Sequence, residues 1–278
     1  MKTAFVCDST LQVNEEFCEN YPLSIVPLEV RLDDEVYEDN VTISPEEFYK
    51  KINSGMKPST SQPSVGKVLE IYEDLKAQGF ERIVAFTVTS KLSGTYSSFT
   101  QASELIEGID IKIIDTLQVA RIVGCAVEKI IKDFSNGDLA YENIEDEYSK
   151  LLKQQNILVT IENMDFLYAG GRLTKTQFLL SNFLNILPII TIKDGILDVS
   201  GKHRGMNKAL TKICEEIKDK NPKSLIILYT SHELLEKAQE VVKKTFGNIE
   251  TESVIISPVI GTHAGPRAVG IGYLEYEK

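Results

Sequence analysis

The chain has 278 residues, of which 42% are hydrophobic, and a formal net charge of −11. This length is enough for one large domain or for two modest domains that each bury a core. The acidic balance and the lack of a long basic run disfavour nucleic-acid binding, and no segment has the unbroken apolar length that crosses a bilayer.

The start of the chain leads directly into a strand, and its apolar run is too short for a signal peptide. We therefore expect a cytoplasmic protein without stable membrane insertion.

The cysteines are scattered, form no Cys-x-x-Cys pair and have no histidine at metal-ligand spacing nearby; they are Cys7, Cys18, Cys125 and Cys214. We expect neither a disulfide nor a zinc site, and we predict no metal and no cofactor.

The first half of the sequence alternates apolar strands with helices. Strands are predicted at residues 2–7, 23–32, 82–88 and 111–115, and helices at 14–21, 45–53, 65–78, 117–134 and 141–154, with another running from the turn after residue 88 to about 107. Pro27 inside the second strand indicates an edge strand or a bend. The alternation predicts a first domain, residues 1–156, with a mostly parallel sheet flanked by helices.

The pattern changes after Asn156. Strands are predicted at residues 157–161, 187–193, 196–199, 224–230, 251–256 and 268–276, and helices at 174–185, 205–218 and 232–246. Asp194-Gly195 is the strongest hairpin signal in the chain. Hairpins mixed with helices predict a second domain, residues 157–278, of α+β type with an antiparallel sheet. The expected fold class is therefore α/β with two domains.

A hydroxyl-rich turn, residues 89–98, lies between a buried strand and a helix. The unpaired N–H groups and the dipole at a helix start favour an oxyanion there, and Gly94 lets the backbone approach such a ligand. The alternative is that these hydroxyls only cap the helix. Asp8-Ser9-Thr10 is a second hydroxyl-bearing turn, and in a parallel sheet both turns are expected at the edge that lines the ligand crevice.

Two other segments carry candidate ligand-binding side chains. In the polar loop at residues 58–64, Ser64 can cap the following helix, which leaves Thr60 and Ser61 for hydrogen bonds to a ligand. His263 lies between glycines just before the last strand, and a structural or a functional role is about equally expected there. The other two histidines, His203 and His232, are interpreted as surface residues.

Ser93 and His263 together raise the alternative of a serine hydrolase. A nucleophile elbow requires glycine two residues on either side of the serine, whereas Lys91 and Thr95 occupy those positions. No acidic third partner is evident from the sequence. Hydrolysis therefore stays a minority alternative, and a binding module for a small metabolite is a third one.

Several motifs in this order resemble the DegV family of bacterial fatty-acid-binding proteins. They are Asp8-Ser9-Thr10, Thr60-Ser61-Gln62-Pro63-Ser64, Ser93-Gly94-Thr95-Tyr96, Gly170-Gly171-Arg172 and His263-Ala264-Gly265-Pro266. The resemblance spans essentially the whole chain. It implies a long-chain fatty acid buried between two domains, and a separate fatty acid kinase that phosphorylates the bound carboxylate to an acyl phosphate for phospholipid synthesis.

The resemblance also implies a set of site residues. The carboxylate would be held by Thr60 or Ser61, by Ser93 beside Gly94, and by His263, with Arg172 assisting. The sequence departs from the family pattern after Asp8-Ser9, where Leu11-Gln12-Val13 replaces the usual acidic-hydrophobic continuation, and at Arg267, where relatives often have glycine.

Two further features are candidates for the tail and the partner. The predicted apolar helix at residues 174–185 is a candidate for one wall of the acyl tunnel, with ordinary inter-domain core as the alternative. A basic cluster, Lys202-His203-Arg204 with Lys208 and Lys212, is a candidate for electrostatic docking of a partner, with a solvated face as the alternative.

Overall fold

The structure, a computed structural model, describes residues 1–173 and 186–277. Its strands are β1 Thr3–Asp8, β2 Leu23–Val26, β3 Glu29–Leu32, β4 Glu35–Glu38, β5 Pro58–Ser61, β6 Arg82–Thr87, β7 Asp110–Asp115, β8 Gln155–Ile161, β9 Ile186–Lys193, β10 Ile196–Arg204, β11 Ser224–Tyr229, β12 Glu250–Ile255 and β13 Ala268–Leu274. Its described α-helices are α1 Glu15–Asn20, α2 Pro45–Asn53, α3 Val65–Ala77, α4 Thr95–Glu104, α5 Arg121–Asn136, α6 Ile144–Lys153, α7 Asp165–Ala169, α8 Met206–Lys218, α9 His232–Phe246 and α10 Pro258–Ala264.

A four-stranded sheet in the order β2-β1-β6-β7 forms the N-terminal layer, and all its neighbouring strands are parallel. Successive residues of a strand point to opposite faces. Ala4 and Val6 therefore pack in the cluster that includes residues of α3 and α4. Phe5 and Cys7 pack in the cluster that includes residues of α5 and α6. The predicted parallel sheet flanked by helices is confirmed.

A six-stranded sheet in the order β10-β9-β8-β13-β11-β12 forms the C-terminal layer. Its pairs are antiparallel except β11 with β12, which is parallel. One face packs against α8 and α9. The opposite face belongs to the same cluster as α5, so this face is directed at the N-terminal layer. The predicted second sheet is confirmed, whereas the boundary at residues 156 and 157 stays a prediction.

The predicted strand at residues 23–32 is wrong as a single element. It is split into β2 and β3, and Pro27 lies between them. Proline has no N–H to donate to a neighbouring strand, so the ladder is interrupted there. After the break, β3 pairs with β4 and β5 in a separate antiparallel sheet. This small sheet was not predicted, and the polar loop expected around Thr60 is its third strand.

One other local prediction needs correction. The helix expected from residue 117 begins only at Arg121, because Leu117 and Ala120 have φ angles of +51° and +66°, outside the helical region. The glycine-flanked segment around His263, for which no element was predicted, belongs to the short helix α10, with Pro258 in its first turn. The predicted helix at residues 174–185 lies outside the described residues.

The hairpin prediction is confirmed. Asp194 and Gly195 have φ angles of +50° and +82° between β9 and β10, which is the backbone that a type I′ turn requires. The tip of this hairpin contacts the N-terminal layer, because the Thr89 hydroxyl donates to the carbonyl oxygen of Gly195 over 2.9 Å. The hydroxyl-rich turn and the C-terminal sheet are therefore joined directly.

Neither a membrane-spanning helix nor a metal-ligating cluster is present in the described part of the chain. Within residues 1–173 and 186–277, no helix has the length and apolar character needed to cross a membrane. The same residues contain no cluster of three or more His, Cys, Asp or Glu side chains that could hold a metal ion.

Candidate functional site

A cavity lies between the loops that follow the parallel strands and one face of the six-stranded sheet. The polar residues among its described lining are Thr10, Thr60, Ser93, Arg172 and His263. The rest of that lining is aliphatic and consists of Leu28, Val88, Leu92, Val119, Ala120, Ile157, Val159, Ile161, Leu167, Ile190, Ile192, Leu197, Leu228, Ile256, Val259, Ile260 and Ala264.

Strand alternation produces much of this apolar wall. Ile157, Val159 and Ile161 are every second residue of β8, so they share one face of the sheet. Ile190 of β9 is paired directly with Val159 and continues the same face. These strands are predicted from the sequence, but their role in the cavity is not. The β-branched residues at every second position indicate that one face of the strand is apolar. Only the strand order of the folded sheet shows that this face lines a cavity.

Thr60 and His263 meet at the polar part of the cavity. The Thr60 Oγ1 atom lies 3.0 Å from His263 Nε2, although the two residues are 203 positions apart in the sequence. Thr60 is fixed by its pairing with Val30 in the small sheet, and His263 is in the last turn of α10. The contact joins a strand from the first quarter of the chain to a helix near its end.

The imidazole of His263 is largely enclosed. A Cβ atom on Gly170 would lie 2.2 Å from Nδ1, so only glycine leaves room for the ring at that position. Among the described residues, Nδ1 has no hydrogen-bond partner. Burial, followed by the nearby charge of Arg172, lowers the pKa of His263 from 6.5 to about 4. The ring is therefore neutral at neutral pH.

Arg172 connects His263 to the hydroxyl-rich turn. Its Nε donates to the carbonyl oxygen of Leu92 over 3.0 Å, and its Nη1 donates to the carbonyl oxygen of Gly170. Burial lowers the pKa of Arg172, but a guanidinium stays protonated in proteins. A continuous series of contacts thus runs from Thr60 through His263, Gly170 and Arg172 to the turn that contains Ser93.

Ser93 has local partners as well as a place in the cavity wall. Its Oγ lies 2.9 Å from Thr95 Oγ1 and accepts a bond from the Thr95 N–H over 3.3 Å, at the start of α4. The N-cap residue of α4 is Gly94, which has no side chain, so these are contacts within the turn and not the capping bond of the alternative. A hydroxyl group has two lone pairs and one hydrogen, so the two Thr95 contacts leave one hydrogen bond for a ligand.

Gly94 and Ser61 are not among the described residues that line the cavity. A Cβ atom on Gly94 would lie 1.7 Å from Oε1 of Gln62, so the space beside this glycine is filled by that side chain. Gln62 also donates to Ser98 Oγ over 2.8 Å, which ties the end of β5 to α4. Ser61 alternates with Thr60 along β5, so the two side chains point to opposite faces. Direct ligand roles for Gly94 and Ser61 stay predictions.

The turn after β1 holds backbone groups of residues that line the cavity. The Asp8 carboxylate accepts bonds from the N–H groups of Thr10 over 2.9 Å and Val88 over 2.6 Å. Ser9 Oγ accepts a bond from the Leu28 N–H over 3.2 Å. Of the three turn residues only Thr10 is in the lining. Burial raises the pKa of Asp8 to about 6, and its hydrogen bonds partly oppose that rise.

The other charged positions singled out in the sequence lie at the surface. Arg267 forms ion pairs with Glu162 and Glu233, at 2.9 and 2.7 Å, so its guanidinium is already engaged. In the basic cluster of residues 202–212, Lys202, Arg204 and Lys208 are exposed. The two histidines predicted at the surface differ, because His232 is exposed whereas His203 is only partly so.

The sequence matches the family described as "Uncharacterised protein, DegV family" over residues 2–276. A DegV domain-containing protein of Caldanaerobacter subterraneus is 34% identical over 281 residues, with 99% of each chain covered. The chain belongs to the DegV family. The predicted family membership and fold class are both confirmed.

Two solved structures extend the comparison. The first, described as showing fatty acid binding of a DegV family protein from Thermus thermophilus, is 25% identical, has a TM-score of 0.89 and covers 99% of this chain and 100% of its own. The second is the Fatty Acid Kinase (Fak) B3 protein of Streptococcus pneumoniae, loaded with linoleic acid. It is 20% identical, with a TM-score of 0.84 and coverage of 99% and 100%, so it shows the shared fold alone.

The low pKa of His263 predicts a pH-dependent contribution to stability. A histidine whose pKa falls from 6.5 unfolded to about 4 folded stabilises the protein above pH 6.5, and that stabilisation is lost as pH falls toward 4. Between pH 7 and pH 5, we expect the unfolding free energy of the wild type relative to His263→Gln to drop by about 2 kcal/mol. Urea titrations of both proteins at a series of pH values measure this difference. A difference that stays constant with pH would contradict the enclosed, neutral imidazole.

Proposed function

We propose that this protein binds a long-chain fatty acid in the cavity, with the carboxylate at the polar part and the acyl chain against the aliphatic wall. The observation that carries the proposal is the composition of the cavity: hydroxyls, an imidazole and a guanidinium are linked in one place, and the remaining described lining is aliphatic. Fatty acid binding by the Thermus thermophilus relative supports the same ligand class.

The aliphatic wall accounts for affinity. Each buried methylene contributes about 0.8 kcal/mol, so a long acyl chain gains far more from the cavity than a small polar metabolite could. The head group contributes less, because hydrogen bonds to the protein replace hydrogen bonds to water. We therefore assign orientation to the polar residues and most of the binding free energy to the wall.

Thr60 is the donor that the structure best supports for the carboxylate. Nδ1 of His263 has no partner among the described residues, and a buried lone pair is tolerated better than a buried N–H. This favours the tautomer with hydrogen on Nε2, which then donates to Thr60 Oγ1. The Thr60 hydroxyl hydrogen is thereby free to point at the ligand. In this arrangement His263 acts through Thr60, while Ser93 supplies a second hydroxyl and Arg172 a nearby positive charge.

We further propose that the bound carboxylate is presented to a separate fatty acid kinase. The family resemblance implies this partner, and the fold shared with the Fak B3 protein is consistent with it.

With ATP and a fatty acid kinase catalytic subunit, acyl phosphate should form only when this protein is loaded with fatty acid. Kinase turnover that is unchanged without the loaded protein would overturn this part of the proposal and leave lipid binding intact.

The serine hydrolase alternative gains no support from the site. The imidazole Nε2 is paired with Thr60, and the Ser93 hydroxyl is paired with Thr95. Among the described hydrogen bonds, none joins Ser93 to His263. A general base must reach the proton that it removes, and this geometry gives His263 a different neighbour.

Substitutions of the two hydroxyl residues test the carboxylate site. We expect Thr60→Val and Ser93→Ala each to weaken binding of a fatty acid by about ten- to a hundredfold, because a charge-assisted hydrogen bond contributes about 1.5–3 kcal/mol. Binding of the fatty alcohol of equal length should change much less, since its head is neutral. Isothermal titration of delipidated protein measures both ligands.

Ser61→Ala decides between the two hydroxyls named for the carboxylate, Thr60 or Ser61, because Ser61 is adjacent in β5 and its side chain points to the opposite face. The proposal assigns this role to Thr60. The affinity of Ser61→Ala for the fatty acid should equal that of the wild type. If Ser61→Ala weakened fatty acid binding while Thr60→Val did not, the assignment of the two hydroxyls would be reversed. If the wild type bound neither ligand, lipid binding itself would be refuted.

A further inference from the structure

The helix that carries His263 is anchored by a residue from the N-terminal part of the chain. Asp39 follows β4 and is only 1% exposed. Its Oδ1 accepts a hydrogen bond from the Val259 N–H over 3.0 Å, in the first turn of α10. Its own N–H donates to the carbonyl oxygen of Leu28 over 2.9 Å. Leu28 and Val259 both line the cavity, so Asp39 joins two of its walls.

A second anchor holds the segment just before α10. The Tyr49 hydroxyl, on α2, donates to the carbonyl oxygen of Ile256 over 3.0 Å. The same hydroxyl lies against the helix itself, because a Cβ atom on Gly261 would be 2.4 Å from it. Val259 in α10 and Ile256 just before it are thereby held by residues of α2 and of the segment that follows β4. Thr60 belongs to that small sheet, and His263 is four residues, about one helical turn, after Val259.

The Asp39 carboxyl that accepts the Val259 N–H is buried in polar surroundings. Its carboxyl is buried among groups from several elements: the Asp8 carboxyl of β1, the Ser9 hydroxyl, the Ser257 hydroxyl and the Val259 N–H. Burial, together with the charge of Asp8, raises the pKa of Asp39 to about 6, while the hydrogen bonds oppose the rise. In the part of the chain that the structure describes, Asp39 forms no ion pair. Asp39 Oδ1 accepts the Val259 N–H, whereas Oδ2 has no hydrogen-bond partner among the described residues. The bond to α10 is therefore the side-chain contact with a defined geometry.

We propose that Asp39 is a positioning residue for the carboxylate site. The bond from its carboxyl to Val259 fixes α10 so that the His263 imidazole meets Thr60, and the strength of fatty acid binding depends on that alignment. Asp39 is not among the described residues that line the cavity. This inference rests on the proposed function, and its test includes one measurement that needs no ligand.

The test compares Asp39→Ala with Asp39→Asn. Asparagine keeps an oxygen that can accept the Val259 N–H, whereas alanine removes it. We expect Asp39→Ala to weaken fatty acid binding by about tenfold and to leave binding of the equal-length fatty alcohol nearly unchanged. Asp39→Asn should restore most of the loss. Equal losses for the acid and the alcohol would indicate general disruption and would overturn the positioning role.

The ligand-free measurement is the NMR titration of the His263 imidazole. In Asp39→Ala the ring should be less enclosed, so its pKa should rise from the wild-type value toward 6.5. Tyr49→Phe, which removes the second anchor, should shift the same titration in the same direction. An unchanged His263 titration in both variants would overturn the proposal. This readout decides the role of Asp39 even if the wild type binds no fatty acid.

Asp33→Ala is the matched control. Asp33 lies between β3 and β4 of the same small sheet and also accepts a backbone hydrogen bond, from the Lys57 N–H over 3.1 Å. It is exposed, and none of its described hydrogen bonds reaches α10. Its removal should change neither the acid-to-alcohol preference nor the His263 titration. A shift as large as that of Asp39→Ala would show that any loss in this sheet disturbs the site.

Discussion

The hydrogen bond between Thr60 and His263 is the contact on which the site depends. It joins residues 203 positions apart, so it forms only when the small sheet and the C-terminal helix are brought together by the whole fold. Loop closure over such a separation has an entropic cost that one hydrogen bond does not offset. The packing of the parallel and six-stranded sheets supplies the difference, and the Asp39 and Tyr49 anchors set the final alignment.

Enclosure of this contact gives the site its chemical character. A neutral imidazole can hold the Thr60 hydroxyl without adding a second full charge beside Arg172. One guanidinium and several hydroxyls are enough to orient a carboxylate. In the proposed function, the aliphatic lining holds the acyl chain attached to it, and such a site binds and orients an acid. Among the described hydrogen bonds, Ser93 pairs with Thr95 and His263 pairs with Thr60.

Much of the fold could be predicted because local signals agreed with the final packing. The Asp194-Gly195 hairpin and the parallel strands were correctly assigned from residue type and periodicity. The single strand predicted at residues 23–32 was wrong. The chain leaves the first sheet at Pro27, and β3 then pairs with β5, which is about 25 residues further along the sequence. The site showed the same division. The sequence singled out Thr60, Ser93 and His263, which lie in the cavity lining, and their ligand roles stay predictions. In the proposal their alignment depends on Asp39, whose role no local pattern indicates.

The most direct test of the account is a crystal structure of the protein with a bound long-chain fatty acid. We predict that the carboxylate lies within hydrogen-bond distance of Thr60 Oγ1 and Ser93 Oγ, that His263 Nε2 stays paired with Thr60, and that the acyl chain follows the face of β8 and β9 that carries Val159 and Ile190. A carboxylate at the opposite end of the cavity, or an acyl chain bound elsewhere on the protein, would contradict the central claim.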